Sequence, residues 1–319
     1  FNPLLLKKVD ELELSVNMDH WMTPCGELAD YVLPATDGLE RPLLSNMWGF
    51  GNSYSAARRI VEPRYERRDD YQLWRELGNR LGQQGLWPDT LEQWFDSLLE
   101  PSGIGHGDLA DRTPPWIHGE PEYRRFARTG FATASGKVEL ASPLMAGLGY
   151  PAMPDYEPPA WSPEASPELF ADYPLVMSSG NSLRWFYRSQ HRHLDKMRRQ
   201  HPYALVTLHP DTARDLGIAE GQMCWVETPL GRVRQQAMLD DGLHPRFVHA
   251  DSHMWYPERA ADGAAHYGLW ESNINAILPD GPGYSDYAGD CYMRGLICRV
   301  TPCTGEDAAA PPFRERSAA

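Results

Sequence analysis

The sequence predicts an α/β region followed by a β-rich domain. Two amphipathic helical segments, 69–82 and 90–100, mark the first part. Alternating apolar residues in 203–239 predict a strand, a short helix, a tight turn and a strand hairpin in the second part. Repeated prolines in 151–168 are typical of a connector without regular structure. The expected boundaries are therefore 1–150 and 170–304 for the two parts, 151–169 for the connector and 305–319 for a disordered tail.

In the first part, the pattern predicts short strands around the two helices. Leu73, Trp74 and Leu77 fall on one face of the first helix, and Asp69 or Asp70 can cap it. The other expected elements are the end of a helix at 1–8, strands at 12–19 and 31–34, irregular structure at 36–63, loop at 101–130 and a strand at 131–142.

In the second part, Pro210 suits the first position of a short helix, and Gly217 is a natural stop. Glu220 and Gly221 predict a turn into the strand QMCWVET, and 229–231 predict the turn of the hairpin. Further strands are expected at 173–180, 243–255 and 290–302.

Composition excludes several classes of protein. The 319 residues carry 30 Lys plus Arg and 44 Asp plus Glu, a formal net charge of −14, which disfavours nucleic acids and anionic membranes as partners. No apolar run is long enough for a transmembrane helix. The five cysteines form no C-x-x-C pair, so neither a disulfide framework nor a structural zinc site is expected. The first residue is not Met, and we interpret the chain as a fragment without a readable targeting signal.

The segment SSGNSLRWFYRSQHRH (178–193) is rich in hydrogen-bond donors and follows a buried strand. Its backbone amides and polar side chains suit a polyanionic ligand such as a dinucleotide. A solvated surface loop would have the same composition. Phosphate-loop chemistry is not indicated, because GFATASGKV has the wrong spacing and Val138 stands where a magnesium-binding hydroxyl belongs.

Other polar residues have a functional and a structural interpretation. His249, Asp251 and His253 would share one face of a strand, which is the ligand composition of a non-haem iron site, or they form a polar rim. Asp19 could accept hydrogen bonds from a guanine or cap a turn. Asn275, like Asn273, could bind a heterocyclic amide or shape a turn.

Several segments in order resemble the C-terminal portion of molybdopterin oxidoreductases of the dimethyl sulfoxide reductase family. They are VNMDHWMTPCGELADYVLPATDGLER (16–41), ASGKVEL (134–140), YPLVMSSGN, FYRSQHRH, HPDTARDLGIAEGQMCWVETPLGRV, SNINAIL and YMRGLICRV. The resemblance covers about residues 12 to 303. It implies that the second part is a six-stranded double-psi β-barrel, similar to aspartate decarboxylase. WFYRSQHRH and GLWESNINAIL resemble most closely the branch of acetylene hydratases, transhydroxylases and catechol dehydroxylases.

The resemblance also implies a cofactor and its contacts. The cofactor would be bis-molybdopterin guanine dinucleotide with Mo or W, with a 4Fe-4S cluster and the protein ligand of the metal upstream, so that no catalytic residue is assigned here. An iron–sulfur electron-transfer subunit and a small-molecule substrate would be the partners. The implied cofactor-binding residues are Asp19, Arg41, Asp70, Ser179, Gly180, Asn181, Ser189, Gln190, His191, Asn275 and Arg294. Two departures stand out, because LLSNMWGFGNSYSAARR (43–59) lacks the family's usual pattern and Asp69 matches nearly as well as Asp70.

The sequence supports a truncated oxidoreductase that transfers two electrons, an oxygen atom or a hydroxyl group, and that is inactive alone. Three alternatives stay open. They are a non-redox hydratase or transhydroxylase of the same family, a non-catalytic barrel that only binds, and a non-haem iron enzyme using His249, Asp251 and His253.

Overall fold

The computed structural model describes residues 3–46, 52–120, 122–153, 155–180, 184–259, 263–279, 293–311 and 313. The chain divides into two compact units. One contains residues 16–22 and 31–156 and is called the α/β unit. The other contains residues 23–30, the segment up to 15 and everything from 157 on, and is called the barrel unit. None of the described helices has the length and apolar character needed to cross a membrane.

The described part of the chain contains short α-helices, strands and 3-10 helices. The α-helices are α1 Pro3–Asp10, α2 Pro24–Leu28, α3 Asp70–Arg80, α4 Leu91–Leu99, α5 His106–Ala110, α6 Phe126–Thr129, α7 Pro143–Gly147, α8 Pro167–Asp172, α9 Asp195–Gln200, α10 Pro210–Asp215 and α11 Leu269–Ser272. The strands are β1 Val16–Asp19, β2 Tyr31–Pro34, β3 Leu43–Asn46, β4 Ser53–Ala57, β5 Trp116–Ile117, β6 Leu175–Ser178, β7 Leu205–Leu208, β8 Met223–Thr228, β9 Gly231–Leu239, β10 Phe247–Ala250 and β11 Arg294–Pro302. Short 3-10 helices lie at Glu100–Ser102, Gly263–Gly268, Ile274–Ile277 and Gly305–Ala308.

The α/β unit contains a parallel pair, β1 and β2, and an antiparallel sheet in the order β3-β4-β5. The helix α3 begins after Asp69, whose Oδ1 accepts a hydrogen bond from the Gln72 amide at 2.8 Å. Asp69 is therefore the cap, and Asp70 is the first helical residue. A capping box of Thr90 and Gln93 starts α4. The predictions of both helices are confirmed.

The strand predicted at 131–142 is wrong. This exposed segment forms turns and bends instead of a strand. The Thr133 hydroxyl donates to the carbonyl of Lys137, and Glu139 accepts from the Ser135 amide. Gly136 has a φ of 65°, outside the extended region. Local side-chain bonds of this kind compete with strand pairing, and the apolar residues here had no sheet to join.

The barrel unit is built on a closed six-stranded barrel in the order β10-β6-β11-β8-β9-β7. The pairs β6–β10 and β7–β9 are parallel, and the remaining pairs are antiparallel. Alternate strand residues point inward and form one apolar core, which includes Met177, Val206, Leu208, Val226, Val233, Val248, Leu296 and Val300. The six-stranded barrel predicted from the sequence is confirmed.

The chain beyond the barrel continues across its surface. The segment predicted to be a disordered tail begins with the 3-10 helix Gly305–Ala308. The guanidinium of Arg234 donates to the carbonyls of Asp307 and Ala309, at 2.8 and 3.1 Å. The start of this segment is therefore tied to β9.

Candidate functional site

Three strand ends meet at one edge of the barrel. Ser178 lies opposite His249 of β10 and opposite Arg294 of β11. The next residue, Ser179, is fully buried, and its amide donates to the carbonyl of Met293 at 2.7 Å. Among the residues that the structure describes, its hydroxyl has no hydrogen-bond partner. A buried hydroxyl without a partner costs free energy, so this edge of the barrel suits a polar ligand.

The residues beside Ser179 have an unusual backbone conformation. Gly180 has a φ of 84°, and a Cβ on it would stand 3.0 Å from Sδ of Met293, so only glycine fits without strain. The register of β11 shifts between Arg294 and Leu296, which is typical of a β-bulge and re-aims the strand end. Arg294 is exposed there. Asn181 lies outside the described residues.

Asn275 lies on the 3-10 helix Ile274–Ile277. Its backbone amide donates to Oδ1 of Asn273 at 3.0 Å, so Asn273 caps the helix. The Oδ1 atom of Asn275 is itself buried, and no described residue forms a hydrogen bond with it. On the far side of the helix, the hydroxyl of Thr228 donates to the carbonyl of Ile277 at 2.6 Å. The barrel thus fixes a helical turn that presents an unused amide oxygen.

Two residues that the sequence did not single out join these segments. The fully buried Gln235 donates through Nε2 to the carbonyls of Asp251 and Ser272, at 2.9 and 3.2 Å. It therefore ties the segment after β10 to the segment that carries Asn275. Its Oε1 atom and the hydroxyl of Ser252 are buried and have no partner within the described ranges of the chain. A polar residue at an inward-facing position of β9 was the signal available in the sequence.

The loop that carries Ser189, Gln190 and His191 exposes all three residues. The next two residues, Arg192 and His193, are buried. The loop contains an irregular backbone, because His191 has a φ of 64°. The structure therefore presents the three predicted residues at the surface of the barrel unit.

The α/β unit carries the other predicted contacts. Asp19 ends β1 opposite Pro34, is half-buried, and accepts the next amide, that of His20, at 2.7 Å. A cavity of about 470 Å³ opens beside it; its lining residues are Met18, Leu33, Pro34, Glu66, Arg68, Leu73, Glu76, Leu77 and Arg80. Arg41 is half-buried and Asp70 is exposed, and neither lines this cavity.

The iron-site hypothesis is not favoured by the geometry. The carboxylate of Asp251 accepts hydrogen bonds from Nε2 of His201 at 2.7 Å and from the amide of Leu205 at 2.8 Å. Burial lowers the pKa of His249 and of His253. No group of three His, Cys, Asp or Glu side chains in the described part of the chain is arranged to hold a metal ion. Asp251 serves as a structural acceptor between β7 and β10.

Residues 175–291 match the family described as "Molydopterin dinucleotide binding domain". The chain is 34% identical to acetylene hydratase of Syntrophotalea acetylenica over 80% of its own length and 35% of that protein. It is 24% identical to a dimethyl sulfoxide/trimethylamine N-oxide reductase of Rhodobacter capsulatus over 79% of its length and 33% of that protein. The chain carries the molybdopterin dinucleotide-binding domain of the dimethyl sulfoxide reductase family.

The fold gives the same result. The solved structure of acetylene hydratase from Pelobacter acetylenicus superposes with a TM-score of 0.87 and 29% identity, over 93% of this chain and 41% of that one. The resemblance inferred from the sequence motifs is confirmed. The chain spans about a third of the length of the curated relatives it matches.

Proposed function

We propose that this chain is the cofactor-binding part of an enzyme that contains bis-molybdopterin guanine dinucleotide with Mo or W. The enzyme would catalyse two-electron redox chemistry or transfer of an oxygen atom or hydroxyl group on a small-molecule substrate. The supporting observation is a set of buried polar atoms in the barrel unit that have no hydrogen-bond partner within the described part of the chain; they belong to Ser179, Gln235, Ser252 and Asn275. Hydrogen bonds to a pterin would remove the cost of these unpaired atoms.

Different residues would bind different parts of the cofactor. The oxygens of Asn275 and Gln235 accept hydrogen bonds from ring and amino N–H groups, and the hydroxyls of Ser179 and Ser252 can donate or accept. Arg294 and the exposed loop of Ser189, Gln190 and His191 would bind the outer parts of the cofactor. Once bound, the metal and its dithiolene sulfurs supply the electron and atom transfer, while the chain supplies position and electrostatics.

In the α/β unit, we propose Asp19, with Arg41 and Asp70, as contacts to the guanosine ends. Asp19 lies at the carboxyl end of a parallel strand, where ligands commonly bind in α/β folds. A carboxylate can accept both N–H donors of a guanine edge. The cavity beside it is lined by apolar side chains, which suit a planar base, and by Glu66, Glu76, Arg68 and Arg80. Both arginines pair with Glu76 in this structure.

We propose further that a 4Fe-4S cluster and an iron–sulfur subunit relay electrons for this enzyme. Their ligands would belong to polypeptide outside this chain, in keeping with relatives about three times as long. The second candidate function is a non-redox hydratase, favoured by the similarity to acetylene hydratase in sequence and fold. Turnover without any electron donor or acceptor would identify that second function.

The test is Asn275→Ala in the holoenzyme that contains this chain. Losing one hydrogen bond of about 0.5–1.5 kcal/mol should weaken cofactor retention about twofold to tenfold. Metal content by inductively coupled plasma mass spectrometry and pterin content by fluorescence after oxidation would both fall. The matched control is Gln236→Ala. Among the described contacts, the side-chain amide of Gln236 donates only to the carbonyl of Gly221. Unchanged metal and pterin content in Asn275→Ala would refute the assignment, and iron without Mo, W or pterin would refute the proposed function.

A further inference from the structure

The loop 188–193 has an outward and an inward half. Ser189, Gln190 and His191 are exposed, whereas Arg192 is completely buried. Arg188 and His191 have φ values of 54° and 64°. Side chains in this left-handed region raise the energy of the loop, so the surrounding structure must hold its conformation.

Arg192 makes several of the contacts that stabilise this loop conformation. Its Nη2 donates to the carbonyl of His253 at 3.0 Å and to that of Arg188 at 3.3 Å, and its Nη1 lies 2.6 Å from Sδ of Met254. The guanidinium also stacks over the ring of Phe186, with 4.1 Å to the centroid. One side chain therefore joins both ends of the turn to the segment that follows β10.

These contacts do not explain Arg192 as a stabilising residue. In the described part of the chain, no carboxylate forms an ion pair with it, and its Nε is buried without a partner. Burial, and next the nearby Arg198, lowers the pKa of Arg192 to about 9, so it stays charged at neutral pH. Taking a charged group out of water without an ion-pair partner costs free energy.

A second contact joins the same loop to the segment that follows β10. The indole Nε1 of Trp255 donates to the carbonyl of Ser189 at 3.2 Å. The ring of Trp255 lies edge-on to His193, with 5.0 Å between centroids. Segment 253–255 thus contacts the loop at two points, the guanidinium of Arg192 and the carbonyl of Ser189.

We propose that Arg192 is a positioning residue that fixes the backbone of the loop so that Ser189, Gln190 and His191 face the bound cofactor. The inference rests on the proposed function, because these three residues are its cofactor contacts. Arg192 itself touches no ligand in this proposal. The fold retains a costly buried charge because the charge orders the binding loop.

The test compares Arg192→Met with Lys196→Met, an exposed residue on α9 that loses the same charge. In the cofactor-free form of the enzyme that contains this chain, amides 188–191 of Arg192→Met should exchange about tenfold faster, as expected from losing one hydrogen bond of a charged donor. The melting temperature alone does not test the inference, because the substitution removes a costly buried charge and also the donor to the carbonyls of Arg188 and His253. In the holoenzyme, metal and pterin content should fall at least about threefold, a loss of one weak hydrogen bond. Lys196→Met should match the wild type in all these measurements.

Trp255→Phe provides an independent arm, since it removes the donor to Ser189 while keeping an aromatic ring. Exchange at 188–191 should rise and cofactor content should fall in the same way. A lower melting temperature with unchanged exchange in 188–191 would make Arg192 a purely structural residue and overturn the inference. Unchanged cofactor content in both variants would overturn it too. If Gln190→Ala and His191→Ala also leave the cofactor content unchanged, the loop's place in the proposed function fails as well.

Discussion

The contact between Thr228 and the Asn275 helix can be tested by Thr228→Val. The side chain of Thr228 is 3% exposed, and valine has nearly its shape. The substitution removes a hydroxyl that donates to the carbonyl of Ile277 at 2.6 Å and accepts the amide of Leu230 at 3.3 Å. It leaves the carbonyl of Ile277, at the end of the helix that carries Asn275, without this donor.

The magnitude follows from that unpaired carbonyl. A buried acceptor that loses its donor costs about 1–3 kcal/mol. For a domain of this size, each kcal/mol lowers the melting temperature by about 2–4 °C, so the expected decrease is about 2–12 °C. The cofactor content of the holoenzyme should fall as well, because the helix presenting Asn275 loses its tie to β8.

Thermal unfolding followed by circular dichroism gives the decrease, and urea titration gives the free energy of unfolding. Thr228→Ser is the matched control, since it keeps the hydroxyl and loses one methyl group, worth about 0.8 kcal/mol. Valine should therefore be more harmful than serine. If serine destabilises the protein as much as valine, packing rather than the hydrogen bond holds the helix, and the reasoning is refuted.

Three further predictions concern charge and reactivity. Burial would raise the pKa of Glu271, but hydrogen bonds from Arg234 and Arg259 outweigh it and lower the pKa below the ordinary 4.5. A lowered folded-state pKa gives stability that is complete above the unfolded pKa and is lost as the pH falls through the folded pKa, so acid titration of stability should be less steep in Glu271→Gln. Burial raises the pKa of Cys224 to about 12 and of Cys303 to about 11, and it also raises the pKa of the fully buried Cys298. Iodoacetamide should therefore alkylate the exposed Cys25 well before these three thiols, which peptide mapping would show. Equal labelling of all four would contradict the buried positions. Asp19→Ala should lower the guanine nucleotide released from the acid-treated holoenzyme, with the exposed Asp10→Ala as control, and an unchanged guanine content would return Asp19 to a turn-capping role.

The sequence predicts elements best where local signals and tertiary burial agree. The strand YVLP was predicted with its observed bounds, Tyr31–Pro34, and α4 was predicted within one residue at each end. The capping box of Thr90 and Gln93 marks the start of that helix, and Leu91 and Leu99 are the buried residues on its apolar face. For 131–142 the alternation was present, but the side chains of Thr133 and Ser135 bonded locally and no partner strand was there. A single strand's pattern cannot reveal whether a neighbour exists.

The residues of the candidate site were likewise predicted only in part. Motif order pointed to Ser179 and Asn275, and in the described part of the chain both have a buried oxygen without a partner. Gln235 gave one signal, a polar residue at an inward-facing position of β9, but its partners, like the burial of Ser252, depend on which segments the barrel closure brings together. Arg192 is next to the predicted Gln190 and His191 but faces the opposite way, and its burial comes from contacts with 253–254, some sixty residues later.

The order of strands in the barrel has a consequence for synthesis. The first strand, β6, pairs with β10 and β11, the last two strands in the chain. A ribosome therefore has to release nearly the whole domain before β6 has a neighbour, and until then its edges can pair with other chains. Premature stops ahead of Arg294 should yield aggregated rather than partly folded protein, since both β6 and β8 lose the strand between them. Chaperone demand during translation should be concentrated in the interval between the emergence of β6 and that of β11.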